Sequence, residues 1–123
     1  DPLLYVEAGQ NLEALDRHAE AEQCYAAAVQ LSPDSLQAHF LYGLELGRDG
    51  RPGEAAGQFR EAVRIMPALP EARLNLGMAL VNEGNYPEAL VEFEKVLKQN
   101  PTNTMALNYA QALRQKLSAV QPH

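Results

Sequence analysis

Residues 67–101 read PALPEARLNLGMALVNEGNYPEALVEFEKVLKQNP, a stretch that opens and closes on proline. Its marks recur upstream at one interval. Pro33, Pro67 and Pro101 lie 34 residues apart, as do Gly9, Gly43 and Gly77. The same step separates Ala21, Ala55 and Ala89, then Tyr25, Phe59 and Phe93, then Leu12, Leu46 and Leu80. Five registers sharing one period define an internal repeat, and a period of this length means one supersecondary unit stacked on copies of itself.

Each unit reads as a pair of amphipathic helices, which makes the chain all-α. Glycine inside a helix costs about 1 kcal/mol relative to alanine. Gly9, Gly43 and Gly77 therefore mark places where two helices must approach closely, with Ala21, Ala55 and Ala89 as small partners on the facing helix. Tyr25, Phe59 and Phe93 then fill the space between helices with apolar volume. Gly50 and Gly84 suit left-handed caps at the end of a first helix. Pro52 and Pro87 suit the first turn of the next, where a missing N–H does no harm. Asn85 with Glu88 has the spacing of a capping box, and Asp1-Pro2 makes a cap and first-turn pair. The repeat prolines end each second helix, because the residue before proline avoids the helical region. Glu94 and Lys98 are expected to pair at i,i+4. The predicted helices are 2–15, 18–31, 36–48, 52–66, 70–83, 86–99 and 104–119. In the last, Leu107, Ala110, Leu113 and Leu117 continue the apolar pattern, while Gln111 and Arg114 stand where glycine and leucine would be. That suits a terminal helix packed on one side and wet on the other. Val120 to His123 read as a short polar end.

These residues carry a family resemblance. A 34-residue unit with an aromatic or polar residue, leucine-glycine, alanine, aromatic and proline in order resembles the tetratricopeptide repeat. The third unit shows Arg73, Leu76-Gly77, Leu80, Ala89, Phe93 and Pro101; the second shows His39, Tyr42-Gly43, Leu46, Ala55, Phe59 and Pro67; the first shows Tyr5, Ala8-Gly9, Leu12, Ala21, Tyr25 and Pro33. The chain departs from the pattern at the tryptophan position, held by Tyr5, His39 and Arg73, and at the tyrosine position, which is leucine throughout. The resemblance spans residues 2–102. It implies a right-handed α-solenoid of three repeats, about 2–35, 36–69 and 70–103, closed by a capping helix at 104–119. The start at Asp1 falls at a repeat boundary, and further repeats or another domain are expected upstream.

Composition narrows the function. The 123 residues carry a formal net charge of -6, which repels phosphate backbones and argues against nucleic acid as the partner. No apolar run approaches the roughly 18–20 residues of a membrane span. A soluble chain is expected, with the cytoplasm slightly favoured. Cys24 is the single cysteine, so an internal disulfide and a multi-cysteine metal site are excluded.

The resemblance implies that the first helix of every repeat lines a concave groove that holds peptides or helices. Helical spacing assigns to it Leu3, Val6, Gln10 and Glu13 from the first repeat and Gln37, Phe40, Leu41, Leu44 and Arg48 from the second. The third supplies Glu71, Leu74, Asn75, Met78 and Asn82, and the last helix Asn108, Tyr109 and Ala112. Phe40, Leu44, Leu74 and Met78 form an apolar stripe, although Tyr42, Leu46, Leu76, Leu80, Phe59 and Phe93 already supply a core. Surplus exposed apolar area marks a partner site. The expected partner is a protein or peptide with an amphipathic helix or an extended apolar segment, with asparagine and glutamine side chains available to backbone amides. One subfamily clamps acidic chaperone tails with lysine, arginine and asparagine. At the corresponding places this chain has Val6, Gln10, Leu41, Glu71 and Asn75, so chaperone-tail binding is not expected. A self-assembling homo-oligomer and a docking arm of a larger enzyme are the alternatives.

Chemistry finds little support. His18 is expected to be exposed at the start of a second helix and His39 to be packed in place of an aromatic; neither is spaced with another ligand as a metal site requires. Cys24 lies six positions, close to two turns, from His18 and reads as structural. Gly47-Arg48-Asp49-Gly50 lacks the lysine-serine sequel of a phosphate loop. No cofactor and no enzymatic activity are expected.

Overall fold

The computed structural model describes residues 1–120. They form seven helices: α1 (Pro2–Ala14), α2 (His18–Leu31), α3 (Leu36–Arg48), α4 (Pro52–Ile65), α5 (Pro70–Glu83), α6 (Tyr86–Gln99) and α7 (Thr104–Val120). Every boundary falls within one residue of its prediction, and the described residues contain no strand. The polar tail that the sequence suggests after Val120, with His123, lies outside the described residues. Each helix packs on its neighbours in sequence, which produces an α-solenoid in which α1, α3, α5 and α7 form one layer and α2, α4 and α6 the other.

The turns explain themselves residue by residue. Gly50 and Gly84 sit at φ 74° and 87°, as their identity predicts. Asp16, in the same repeat register, takes φ 61°, a left-handed conformation that aspartate tolerates better than most residues. The predicted capping box at Asn85 does not form. The Asn85 backbone N–H already donates to the Leu80 carbonyl at 2.8 Å, so Glu88 has no backbone donor to take there. Instead the Asn85 amide donates to Glu88 Oε2 at 2.7 Å. Arg51 and Arg17, one and two repeats earlier, have the same backbone bond to Leu46 and Leu12 and likewise reach forward to Glu54 and Glu20.

The glycines predicted to allow a close approach do so, but against a ring rather than against the alanine helix backbone. A Cβ added to Gly43 would lie 2.7 Å from Phe59 Cε1, and one added to Gly77 2.6 Å from Phe93 Cζ. Tyr25 lies equally tightly over Gly9. Ala21, Ala55 and Ala89 are fully buried beside them. Ala38, Ala72 and Ala106, at one register of α3, α5 and α7, are also fully buried, and Ala38 packs with Val6 and Ala28 across the joint between α2 and α3.

The drifted tryptophan position is part of a polar joint. His39 is 4% exposed; its Nε2 lies 2.7 Å from the Pro33 carbonyl oxygen and its Nδ1 2.7 Å from Gln58 Oε1. One repeat on, Arg73 donates to the Pro67 carbonyl and to Glu92 Oε1. On the outer layer, Arg60–Glu88 ties α4 to α6 and Arg64–Asp34 ties it to the turn between α2 and α3, both at 2.9 Å. Glu94 turns to Arg114 of α7 at 3.2 Å rather than forming the predicted pair with Lys98. A contact between helices fixes both ends through the fold, whereas an exposed i,i+4 pair gains only about 0.2–0.5 kcal/mol.

Candidate functional site

The hairpin formed by α3 and α4 brings α5 back alongside α3, and two depressions open along the seam between α3 and α5. The first, about 310 Å³, is lined by Leu36, Gln37, Phe40 and Leu41 together with Leu69 and Glu71. The second, about 230 Å³, lies further along and is bounded by Leu44, Gly47, Asn75, Met78 and Asn82 over a floor that includes Phe59. Phe40 stands edge-on to Phe59 with ring centroids 5.8 Å apart, so the wall between them is anchored in the core. Among the described residues, no lysine or arginine lines either depression. The apolar walls carry Gln37, Glu71, Asn75 and Asn82 as their polar groups. Asn75 donates one amide hydrogen to the Glu71 carbonyl at 2.8 Å, which leaves its oxygen to accept.

Eight of the sequence-assigned groove residues therefore converge: Gln37, Phe40, Leu41, Glu71, Leu44, Asn75, Met78 and Asn82. Others do not. Val6 is only 3% exposed and packs with Ala28 and Ala38; its side chain points into the joint between repeats, because a small alanine on α3 leaves room for it. Leu74 is half-buried against the core. Tyr109 lies stacked on Phe93, 4.7 Å between centroids and 4° between planes, which removes one face of its ring from any partner. Glu13 accepts the Tyr25 hydroxyl. Arg48 lines a separate cleft between α2 and α3 with His18, Glu22, Glu45 and Asp49. Leu3, Gln10, Asn108 and Ala112 are exposed on α1 and α7 and line neither depression.

Sequence reasoning missed Leu36 and Leu69. A signal for Leu69 was present. Asp1, Ser35, Leu69 and Asn103 share one repeat register, ahead of α1, α3, α5 and α7. Asp1, Ser35 and Asn103 each accept a backbone N–H of the helix they precede, at 3.0, 3.1 and 2.9 Å. Leu69 caps nothing. A capping residue is worth about 1 kcal/mol, and here that stabilisation is given up for an apolar side chain that reaches the first depression.

The α2–α3 cleft has an unexpected geometry. His18 is half-buried, contrary to the expectation of an exposed residue. Its Nδ1 lies 3.2 Å from Glu45 Oε2 and its Nε2 2.9 Å from Asp16 Oδ1. Glu45 is 4% exposed, and burial pushes its carboxyl above the usual range, opposed by the hydrogen bond to His18. Among the described residues, no group of three His, Cys, Asp or Glu stands together to hold a metal ion. No described helix is long and apolar enough to cross a membrane.

The repeat register, the buried glycine–aromatic contacts and the helix order agree with comparisons to known proteins. The tetratricopeptide repeat description matches residues 6–72 and again residues 48–117. The chain belongs to the tetratricopeptide repeat family. Solved tetratricopeptide structures superpose along nearly all of it. The first TPR of Spaghetti (RPAP3), bound to HSP90 peptide SRMEEVD, has a TM-score of 0.84 at 22% identity, covering 95% of this chain and 93% of that one. The second TPR domain of human RPAP3, in complex with HSP70 peptide SGPTIEEVD, gives 0.80 at 18% identity, covering 93% and 98%. YrrB, described as a TPR protein with an unusual peptide-binding site, gives 0.80 at 25% identity, covering 90% of this chain and 57% of that one. At these identities the likeness is one of tetratricopeptide fold. No curated protein matches the chain in sequence.

Proposed function

We propose that the chain is a protein-interaction module whose α3–α5 seam holds an apolar segment of a partner polypeptide, extended or helical. The observation that carries this reading is Leu69. The other three helices of its layer open on a capping side chain, and α5 alone opens on a leucine that lines a depression with Phe40 and Leu41. Loss of a cap in exchange for a half-buried leucine on the wall of a depression fits a surface kept for binding. Structural relatives that hold HSP90 and HSP70 peptides support peptide binding as the mode. Their peptides end in acidic residues, whereas this seam offers Glu71 and no cation. The partner segment is therefore apolar with few carboxylates, its backbone amides and carbonyls met by Gln37, Asn75 and Asn82.

The module is read as non-catalytic, with chemistry, if any, belonging to what it binds. Peptides selected from a displayed random library test the reading through amide shift perturbation. The expected result is shifts centred on Phe40, Leu41, Leu69 and Met78. Shifts confined to α2, α4 and α6 would refute it.

A further inference from the structure

The two depressions of the α3–α5 seam follow the repeat. Gln37 and Glu71, which share one repeat register, line the first; Leu44 and Met78, which share another, line the second. On each helix the step from one depression to the other is seven residues, or about 10 Å at 1.5 Å per residue. A segment that fills both presents two apolar side chains on one face at about that separation. In a β-strand, side chains two apart share a face at about 7 Å and side chains four apart at about 13 Å, so a strand misses the step. A helix reaches it at i,i+7, about 10 Å. A polyproline II chain, with three residues per turn, reaches it at i,i+3, about 9 Å.

The polar groups of the seam decide between the last two. Asn75 keeps its oxygen free to accept, Gln37 and Asn82 are exposed, and all three line the depressions. A helix has committed its backbone N–H and C=O groups internally and would cover these amides without pairing them, which costs the covered groups their hydration. A polyproline II chain has no internal hydrogen bonds and offers both kinds of group.

Charge adds a second requirement. Every glutamate of α2, α4 and α6 is paired with an arginine. Glu71 is exposed at the first depression, and among the described residues no cation pairs with it. It is the one charged residue among the described residues that line either depression, and a partner of opposite sign is favoured there. With the α3–α5 seam as the binding surface, as proposed above, we infer that its occupant is a polyproline II segment with apolar side chains at i and i+3 and a lysine or arginine next to the one that enters the first depression. The apolar side chains fill the two depressions, the cation meets the Glu71 carboxylate, and the segment's backbone meets Gln37, Asn75 and Asn82.

Synthetic peptides test this by amide shift titration. The probe is acetyl-Lys-Leu-Pro-Pro-Leu-Lys-amide, which carries a lysine beside either leucine and so fits in both chain directions. Acetyl-Glu-Leu-Pro-Pro-Leu-Glu-amide reverses the charge, acetyl-Lys-Leu-Pro-Leu-Lys-amide shortens the step, and an alanine-based helical peptide with leucines at i and i+7 beside lysines supplies the helix. The probe is expected to shift Phe40, Leu41 and Met78 and to bind at least about fivefold more tightly than each comparator. In Glu71→Gln, with circular dichroism to establish that it is folded, the lysine and glutamate peptides are expected to bind within about twofold of each other. Seam shifts with equal affinity for the lysine and glutamate peptides in the wild-type chain, or with a helical or shortened comparator that binds as tightly as the probe, would overturn the inference and leave the seam as the binding surface. A probe that moves no seam residue would overturn it as well. The library-selected peptides then separate the two failures, because shifts confined to α2, α4 and α6 count against the seam itself and shifts on the seam count against its polyproline II occupant alone.

Discussion

Arg73 Nη1 donates to Glu92 Oε1 at 3.0 Å, with both side chains nearly buried at 14% and 10% exposure, in the repeat register that His39 and Gln58 occupy one unit earlier. The same joint between helices is thus made once with charges and once with neutral groups. In both, the first residue also reaches the carbonyl of the proline that ends the previous repeat. Removing one charge of a nearly buried pair strands the other, which costs about 3–5 kcal/mol when burial is complete. Glu92→Ala is expected to destabilise towards the lower end of that range, because the stranded Arg73 keeps its bond to the Pro67 carbonyl and some water remains. The double replacement Arg73→His, Glu92→Gln, which copies the second repeat into the third, is expected to recover most of the loss. Urea unfolding of the singles and the double measures this; a double variant no better than the sum of its parts would show that the two joints are not equivalent.

The glycine positions predict opposite signs. Gly77→Ala forces a Cβ to within 2.6 Å of Phe93, and overpacking of this kind costs about 1–3 kcal/mol. Gly57, in α4, has nothing within 4 Å of its added Cβ. Gly57→Ala is expected to stabilise by about 0.5–1 kcal/mol through helix propensity alone. Thermal unfolding of the two variants side by side distinguishes a packing role from a backbone role.

Leu69 predicts a trade between stability and binding. Leu69→Asp supplies the missing cap of α5 and is expected to raise stability by about 1 kcal/mol. It also places a carboxylate at the wall of the first depression and is expected to weaken apolar peptides. A variant that is more stable and binds equally well would remove Leu69 from the site.

Tyr25 sets a pH dependence. It is fully buried, and burial followed by its hydrogen bond to the Glu13 carboxylate pushes the phenol above its ordinary range. The unfolded chain releases this proton near about pH 10, while the folded chain keeps it. The folded state then binds more protons, so stability falls as pH rises through that region. Tyr25→Phe is expected to lower stability at neutral pH, where the hydroxyl–carboxylate bond contributes about 1.5–3 kcal/mol. It is also expected to flatten the alkaline loss. Urea midpoints of both chains at about pH 8 and about pH 11 give the comparison; parallel losses would assign the alkaline sensitivity elsewhere.

The periodic marks carried the fold because each reports a contact made within the unit that contains it. Gly77 meets Phe93, and Pro101 ends the helix that holds Phe93, whatever the rest of the chain does. The groove was legible where helical spacing suffices, at Gln37, Phe40, Leu44 and Met78. It failed at Val6, because burial there depends on the size of Ala38 on another helix. It failed at Tyr109, whose ring turns onto Phe93, and at Arg48, whose position depends on α2. The capping box at Asn85 failed for a local reason: the backbone N–H it needs is committed to Leu80. Leu69 was readable as the one uncapped member of its register, a signal that appears only when the repeats are compared with each other.

The most direct test of the α3–α5 groove is the affinity of library-selected peptides for the wild-type chain, for Leu44→Glu and for Arg60→Glu, by isothermal titration. Leu44 is 43% exposed, so the substitution leaves the core intact, and Arg60 lies on the outer layer as a control. The groove predicts apolar peptides whose affinity falls at least about tenfold, or about 1.4 kcal/mol, in Leu44→Glu and is unchanged in Arg60→Glu. Selection of acidic peptides, or equal binding by Leu44→Glu and wild type, would contradict it.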